Sequence, residues 1–289
     1  MATPPNRSKL TPCRPMRGMV LVMVLWLIAG LSLVLGATLR AVRLEVVAVG
    51  QNQANSIGSN LADAAIRLKL QELFAAKRLS FNSIENSTVE YAGKHIDVSV
   101  VPLNGLIDLN AAPVGLLTDL FQFGAGMSQS SASQIAASVL EFRGRKDSFG
   151  AQIKMQSRED LLQIPGMRYQ EYAKLKDCVT VDIVGGGRVN PLAATLEVLT
   201  VLARGDGAFA ARVLETRPIA KETVDTTKLS SNFIALEQTS FVAISARLAL
   251  EDNIVLNRTW KVNLRTPAHG LNWRTLAMET STFHINSTN

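Results

Sequence analysis

The feature that most constrains this chain is a run of 21 residues, 19–39, reading MVLVMVLWLIAGLSLVLGATL without a single charge. As a helix rising about 1.5 Å per residue it reaches roughly 31 Å, the thickness of a bilayer's hydrocarbon core. Secretory signal peptides have apolar stretches of about 7–15 residues and end in a small-x-small cleavage site. This run is longer, and Arg40 and Arg43 follow it directly, so the sequence predicts a retained membrane helix over 19–39. Arg7, Lys9, Arg14 and Arg17 precede it, and no acid stands before residue 40. That asymmetry predicts a cytoplasmic N-terminus with the bulk of the chain exported.

The same four residues explain the charge. The whole chain has 30 Lys plus Arg against 24 Asp plus Glu, a formal +6 that alone hints at nucleic acid or an anionic membrane. Without residues 1–18 the balance is 26 basic to 24 acidic, a net +2, so no nucleic-acid partner is expected. An apolar content of 47% with 19% charged residues excludes a disordered chain. Two cysteines, Cys13 and Cys178, cannot make a disulfide framework or a structural zinc site. Cys178 is expected to be a small buried apolar residue.

The junction Arg14, Arg17, Gly18, Met19 resembles the type IV prepilin leader. The resemblance implies that a prepilin peptidase cuts between Gly18 and Met19 and that Met19 becomes an N-methylated terminus. Most pilins carry Glu at the fifth mature position, where this chain has Met23. A carboxylate in the bilayer costs about 2.5–3.5 kcal/mol unless it is neutralised. In a pilin filament another subunit's terminal amine does so. Met23 neither needs nor offers that pair, so the chain either is not a pilin or is one that does not add by the usual pairing.

Beyond the apolar run, residues 40–79 lack Pro and place Leu61, Ala65, Leu68 and Phe74 near helical spacing, with Leu44 and Val47 in the same pattern. This predicts an extension of the first helix, loosened at Gly50 and Gly58. A hairpin follows, with strands at 88–91 and 95–101 alternating through Val89, Tyr91, Ile96, Val98 and Val100, and Gly93 at the turn. Helical patterns then occupy 113–122, 131–143, 158–164, 168–177, 193–204 and 207–215. Residues 178–184 look strand-like, and 216–230 read as a loop. Strands return at 240–250, 254–265 and 273–283, with a turn at 251–253.

The expected fold class is therefore α+β: a pilin-like long N-terminal helix packed on an antiparallel sheet, with a large α-helical domain inserted in the sheet. The divisions are a leader at 1–18, a transmembrane helix at 19–39, the helix extension and first strands at 40–104, the inserted domain at 105–216 and the remaining strands at 217–289.

The helical block contains a repeat. Gly105-Leu-Ile-Asp-Leu-Asn-Ala-Ala-Pro-Val-Gly-Leu-Leu117 lies over Gly187-Arg-Val-Asn-Pro-Leu-Ala-Ala-Thr-Leu-Glu-Val-Leu199, matching Gly, Ala-Ala and the final Leu. Each copy is a turn that starts a helix, with Asn110 or Thr195 available as a cap. Between the copies, Ile164, Pro165 and Gly166 resemble the turn of a helix-hairpin-helix module. DNA-binding versions use Gly-x-Gly so that backbone amides approach phosphate. Arg168 stands where the second Gly would be, which favours a hairpin used for packing.

Several segments occur in order: the leader, the hairpin, the Gly105 turn, Leu161-Leu-Gln-Ile-Pro-Gly-Met167, the Val189-Asn190 segment and Ser231-Asn-Phe-Ile-Ala-Leu236. Together they resemble the general secretion pathway protein K family, the large minor pseudopilin of type II secretion, over nearly the whole chain. The resemblance implies a non-enzymatic subunit at the pseudopilus tip, anchored by one pass in the inner membrane with its bulk periplasmic. It also implies partners among the other minor pseudopilins. The stretch 189–194 departs from the family, which usually has a second Asn there. Some members bind calcium in the insert. The spacing of Asp108, Asp147 and Asp182 assigns no ligands, and no other cofactor is expected.

The chain has no His-Glu-x-x-His, Cys-x-x-Cys, Gly-x-Ser-x-Gly, P-loop or Gly-x-Gly-x-x-Gly. His95, His269 and His284 are scattered, and Gly185, Gly186 and Gly187 read as a flexible connection. Two other functions stay open on sequence alone: a membrane-anchored helix-hairpin-helix DNA-binding protein of competence type, and a minor pilin of a type IV pilus.

Overall fold

The computed structural model describes residues 17–146, 148–183, 186–217, 225–250, 254–268 and 270–284, apart from the side chains of 17–20, 37, 39, 41–44, 46–48 and 284. The chain forms two units, residues 1–56 and 57–289. Helix α1, Arg17–Ala75, supplies the described part of the first and the opening of the second. No break occurs at Gly50 or Gly58, where loosening was expected. At Gly58 the missing side chain admits a neighbour: a Cβ there would meet Leu250 Cδ2 at 2.7 Å.

In the first unit, every residue from Leu21 to Gly36 is exposed. These sixteen residues alone would reach about 24 Å, and among the described residues no helix is long and apolar enough to cross a membrane. The 21-residue run of the sequence also includes Met19, Val20, Ala37 and Leu39, whose side chains lie outside the described set.

In the second unit the end of α1 buries Ala62, Ala65, Ile66, Leu70 and Leu73, which recur at the three- and four-residue steps of one helix face. Of the expected stripe, Ala65 lies in the core, Leu61 and Phe74 pack against it, and Leu68 is exposed. The face covers an antiparallel sheet of order β1-β2-β5-β6-β7. Strands β1, Glu85–Tyr91, and β2, Lys94–Pro102, form the hairpin, turning through Ala92 and Gly93 at φ 52° and 71°. Two left-handed residues in a row suit the twist of a tight hairpin, and Gly at the second adopts this without strain.

Strand β2 continues to its other neighbour only after residues 103–240 have intervened. That neighbour, β5, is Phe241–Ala249, followed by β6, Ile254–Asn263, and β7, Arg274–His284. Alternate residues Ile96, Val98 and Val100 of β2 and Val242, Ile244, Ala246 and Leu248 of β5 are buried on one face, as period-2 patterning demands. The expected turn at 251–253 lies outside the described residues.

The intervening stretch has its own core. It begins with the two-residue strand β3, Ile107–Asp108, which pairs in parallel with β4, Val179–Thr180. Its helices are α2, Val114–Asp119, α3, Gln129–Gly144, α4, Tyr169–Leu175, α5, Leu196–Leu202, and α6, Gly207–Thr216. A π-turn, Leu120–Gly124, extends α2, and Arg158–Gln163 is 3₁₀ rather than α. Leu116, Leu117, Phe121, Val139, Leu199 and Val213 are among the buried residues of this second core, separate from the sheet's. Of the loop expected at 216–230, residues 218–224 lie outside the described set.

Candidate functional site

The two Gly-led segments that match in sequence face one another. A Cβ on Gly105 would stand 2.3 Å from the carbonyl of Ala193, and one on Gly187 would stand 2.2 Å from the carbonyl oxygen of Ala111. These contacts are reciprocal, because Ala111 and Ala193 hold the same place in the two copies. The Asp108 carboxylate accepts the Asn110 N–H at 2.8 Å, and its twin Asn190 accepts the Leu192 N–H at 3.0 Å. Both are side-chain-to-backbone turns of the Asx type. Arg143 at the end of α3 donates to the Ala112 carbonyl, and Arg217 after α6 donates to the Ala194 carbonyl, each at 2.8 Å. In the turn at 189–194, Leu192 takes the place that Asn110 holds in the first copy, and Asn190 supplies the Asx hydrogen bond.

Thr195 caps α5 by accepting from the Val198 N–H. Asn110 does not cap α2, whose N-cap is Pro113. It reaches instead to Met155, donating to its carbonyl at 3.0 Å and accepting its N–H at 2.9 Å. That pairing stitches the first turn to a segment 45 residues away, where a cap would have spent the side chain locally.

Asp108 is 4% exposed, and burial pushes its carboxyl up to about 6. One of its oxygens has no hydrogen-bond partner among the described residues. Asp182 pairs with Lys261 at 3.4 Å, so a cation already balances it. Asp147 lies outside the described residues. Among the described residues no three His, Cys, Asp or Glu side chains converge as metal ligands.

Ile164, Pro165 and Gly166 form a tight turn with the Met167 N–H bonded to the Ile164 carbonyl at 3.1 Å. Ile164 and Met167 are buried in the helical core, and Gly166 takes φ +90° close to Ile135 of α3. Arg168 precedes α4 and forms an ion pair with Glu171. The turn spends its apolar residues inward and its cation on an internal acid. Gly18 and Met19 fall in the first turn of α1, and the Met23 side chain is exposed. Cys178 is buried in the helical core, and burial pushes its thiol up to about 12, so it packs as an apolar residue and is inert as a nucleophile. His95 is exposed on β2, His284 ends β7, and His269 and Gly185 lie outside the described residues.

Two charged constellations had no signal in the sequence, because their members are up to 197 residues apart. Asp63 of α1 accepts from Arg258 Nε at 2.7 Å and Trp260 Nε1 at 2.8 Å, both on β6. Arg67 stacks over the Trp260 ring at 5.3 Å. These bonds fasten the helix to the sheet. The second constellation joins the helical region to the sheet: Glu279 of β7 takes Lys261 at 2.9 Å and Arg158 at 3.1 Å, and Lys261 also takes Asp182. The two cations hold the Glu279 carboxyl below its usual range despite partial burial.

The elements and their order define a mixed helix and antiparallel-sheet protein of the α+β class. Its sequence matches no family model and no curated protein. In three dimensions it is similar to a chain in the crystal structure of the GspK-GspI-GspJ complex from the enterotoxigenic Escherichia coli type 2 secretion system. That similarity has a TM-score of 0.50 at 16% identity and covers 82% of this chain and 99% of the other. At that identity the likeness is one of fold.

Proposed function

We propose that this chain is a non-enzymatic minor pseudopilin of a type II secretion pseudopilus, placed at the filament tip and supporting protein export. The observation that carries the reading is the fold likeness over 99% of a chain from a type 2 secretion complex. The ordered motif series in the sequence supports it independently. In this reading residues 19–39 anchor the chain in the inner membrane, a prepilin peptidase frees Met19, and the folded unit stands in the periplasm. The pilin-like part is the α1 end with its five-stranded sheet, and the helical region between β2 and β5 is an insertion into that sheet. The partners are other minor pseudopilins in a heterocomplex, as the neighbour is a complex of three named proteins.

Co-expression of the full chain with the minor pseudopilins of its own cell, followed by purification through a tag on this chain, tests the reading. A defined heterocomplex is expected. A chain that purifies alone, or with duplex DNA in a salt-sensitive complex, contradicts it. The inward-facing Ile164–Met167 turn and the Arg168–Glu171 pair favour the assembly reading over the DNA-binding one. A minor pilin of a type IV pilus would share this fold, and the identity of the co-purifying subunits distinguishes the two machines.

A further inference from the structure

Where the helical region meets the sheet, a cleft of about 770 Å³ opens, within the size range of ordinary ligand sites. Met155 and Val181 wall it from the helical side, and Phe241 and Leu276 from the sheet side, with Arg265 and Arg274 at the rim. Leu276 is there because β7 carries an extra residue. Lys261 lies opposite Ala277 and Val262 opposite Thr275, which leaves Leu276 without a cross-strand partner. Such bulges re-aim side chains.

The charges are not balanced within the cleft. Lys261 and Arg158 are neutralised by Asp182 and Glu279. Arg265 and Arg274 have no carboxylate partner among the described residues; the one side-chain bond from Arg265 is a 3.5 Å contact to Ser80. The rim that carries Arg265 is also held in place. Asn263 accepts the Arg265 N–H at 3.0 Å and the Ser240 hydroxyl at 3.1 Å, and donates to Thr266 at 2.9 Å. Two guanidiniums without a carboxylate partner stand at the rim of a lining that mixes Met155, Val181, Phe241 and Leu276 with polar side chains, and bring positive potential to a concave surface. Guanidinium forks match carboxylates in a bidentate way.

The geometry points to this cleft as the docking site for an acidic peptide segment of a partner protein, its carboxylates on Arg265 and Arg274 and its apolar side chains against Phe241 and Leu276. A small inorganic anion would use only the arginines and leave the apolar walls idle. The inference deepens the assembly reading and rests on it for the owner of the segment.

The test uses the full chain in detergent and two fluorescein-labelled decapeptides, one alternating Glu and Leu and one alternating Lys and Leu, followed by fluorescence anisotropy. The Glu peptide is expected to bind, and R265A/R274A is expected to weaken it at least tenfold. R265K/R274K should weaken it less, and R212A, on α6 beside Phe209, should leave it unchanged. Matching thermal melts show that the variants fold. Equal binding of both peptides, or an R265A/R274A affinity equal to the parent's, overturns the proposal. So does a self-associated parent that the double variant converts to monomer, because the occupant is then a second copy. Peptide binding is read with no other pseudopilin present, so loss of the heterocomplex with peptide binding intact would sink the assembly reading and spare the cleft.

Discussion

Gly105 sits so close to Ala193 that a Cβ would stand 2.3 Å from the alanine carbonyl carbon, and Gly187 stands in the same relation to Ala111. Backbone blocks both positions, and backbone cannot swing aside. Gly105→Ala and Gly187→Ala should therefore each cost about 1–3 kcal/mol through forced displacement of the facing turn. Gly207→Ala is the matched control: nothing lies within 4 Å of a Cβ there, at the start of α6. It should be neutral or stabilising by about 0.5–1 kcal/mol. Denaturant melts of the full chain in detergent compare the three.

Asp108 and Asn190 occupy equivalent turns, yet only one of them titrates. The Asp108 carboxyl is raised to about 6 in the folded chain, against about 3.9 unfolded. A raised folded value means its contribution is fully present below pH 4 and lost as pH rises through 6. Asp108→Asn should remove that slope between pH 4 and 6, and Asn190→Asp should add one of the same sign. Melting temperature against pH reads both; a parent and D108N with parallel profiles would contradict the assignment.

Asp63 holds Arg258 and Trp260 together from the helix side. Asp63→Ala strands a largely covered guanidinium and an indole N–H, and should destabilise by roughly 2–4 kcal/mol, below the full cost of breaking a deeply buried pair. Asp63→Asn keeps one acceptor oxygen and should lose about half as much. Chemical denaturation followed by tryptophan fluorescence checks the order of the two.

Much of this architecture was legible because local patterning and packing agreed. The alternation of Ile96, Val98 and Val100, the turn at Gly93 and the match of Gly105 with Gly187 each correspond to a buried face, a left-handed residue or a close backbone approach. Errors arose where tertiary contacts chose among equal local options. On α1 the sheet takes Ala62 and Ile66 beside the expected Ala65, and leaves Leu61 at its margin and Leu68 exposed. Asn110 could cap a helix or bond Met155, and only the fold brings Met155 within reach. The Asp63 and Glu279 constellations join charges from distant segments, and no spacing rule foreshadows them.

At Gly166 the chain takes φ +90° with Ile135 nearby. Gly166→Ala should cost about 1–3 kcal/mol in backbone strain and loosen the packing of Ile164 and Met167. Hydrogen exchange at α4 should speed up in this variant, while exchange in β5 stays as in the parent.

In the proposed function residues 1–18 are a leader and the anchor begins at Met19. Intact-mass and N-terminal peptide mass spectrometry, on protein isolated from cells with an active prepilin peptidase, reads the mature N-terminus. A chain starting at N-methylated Met19 is expected. Retention of residues 1–17, or a cut anywhere other than between Gly18 and Met19, would contradict it.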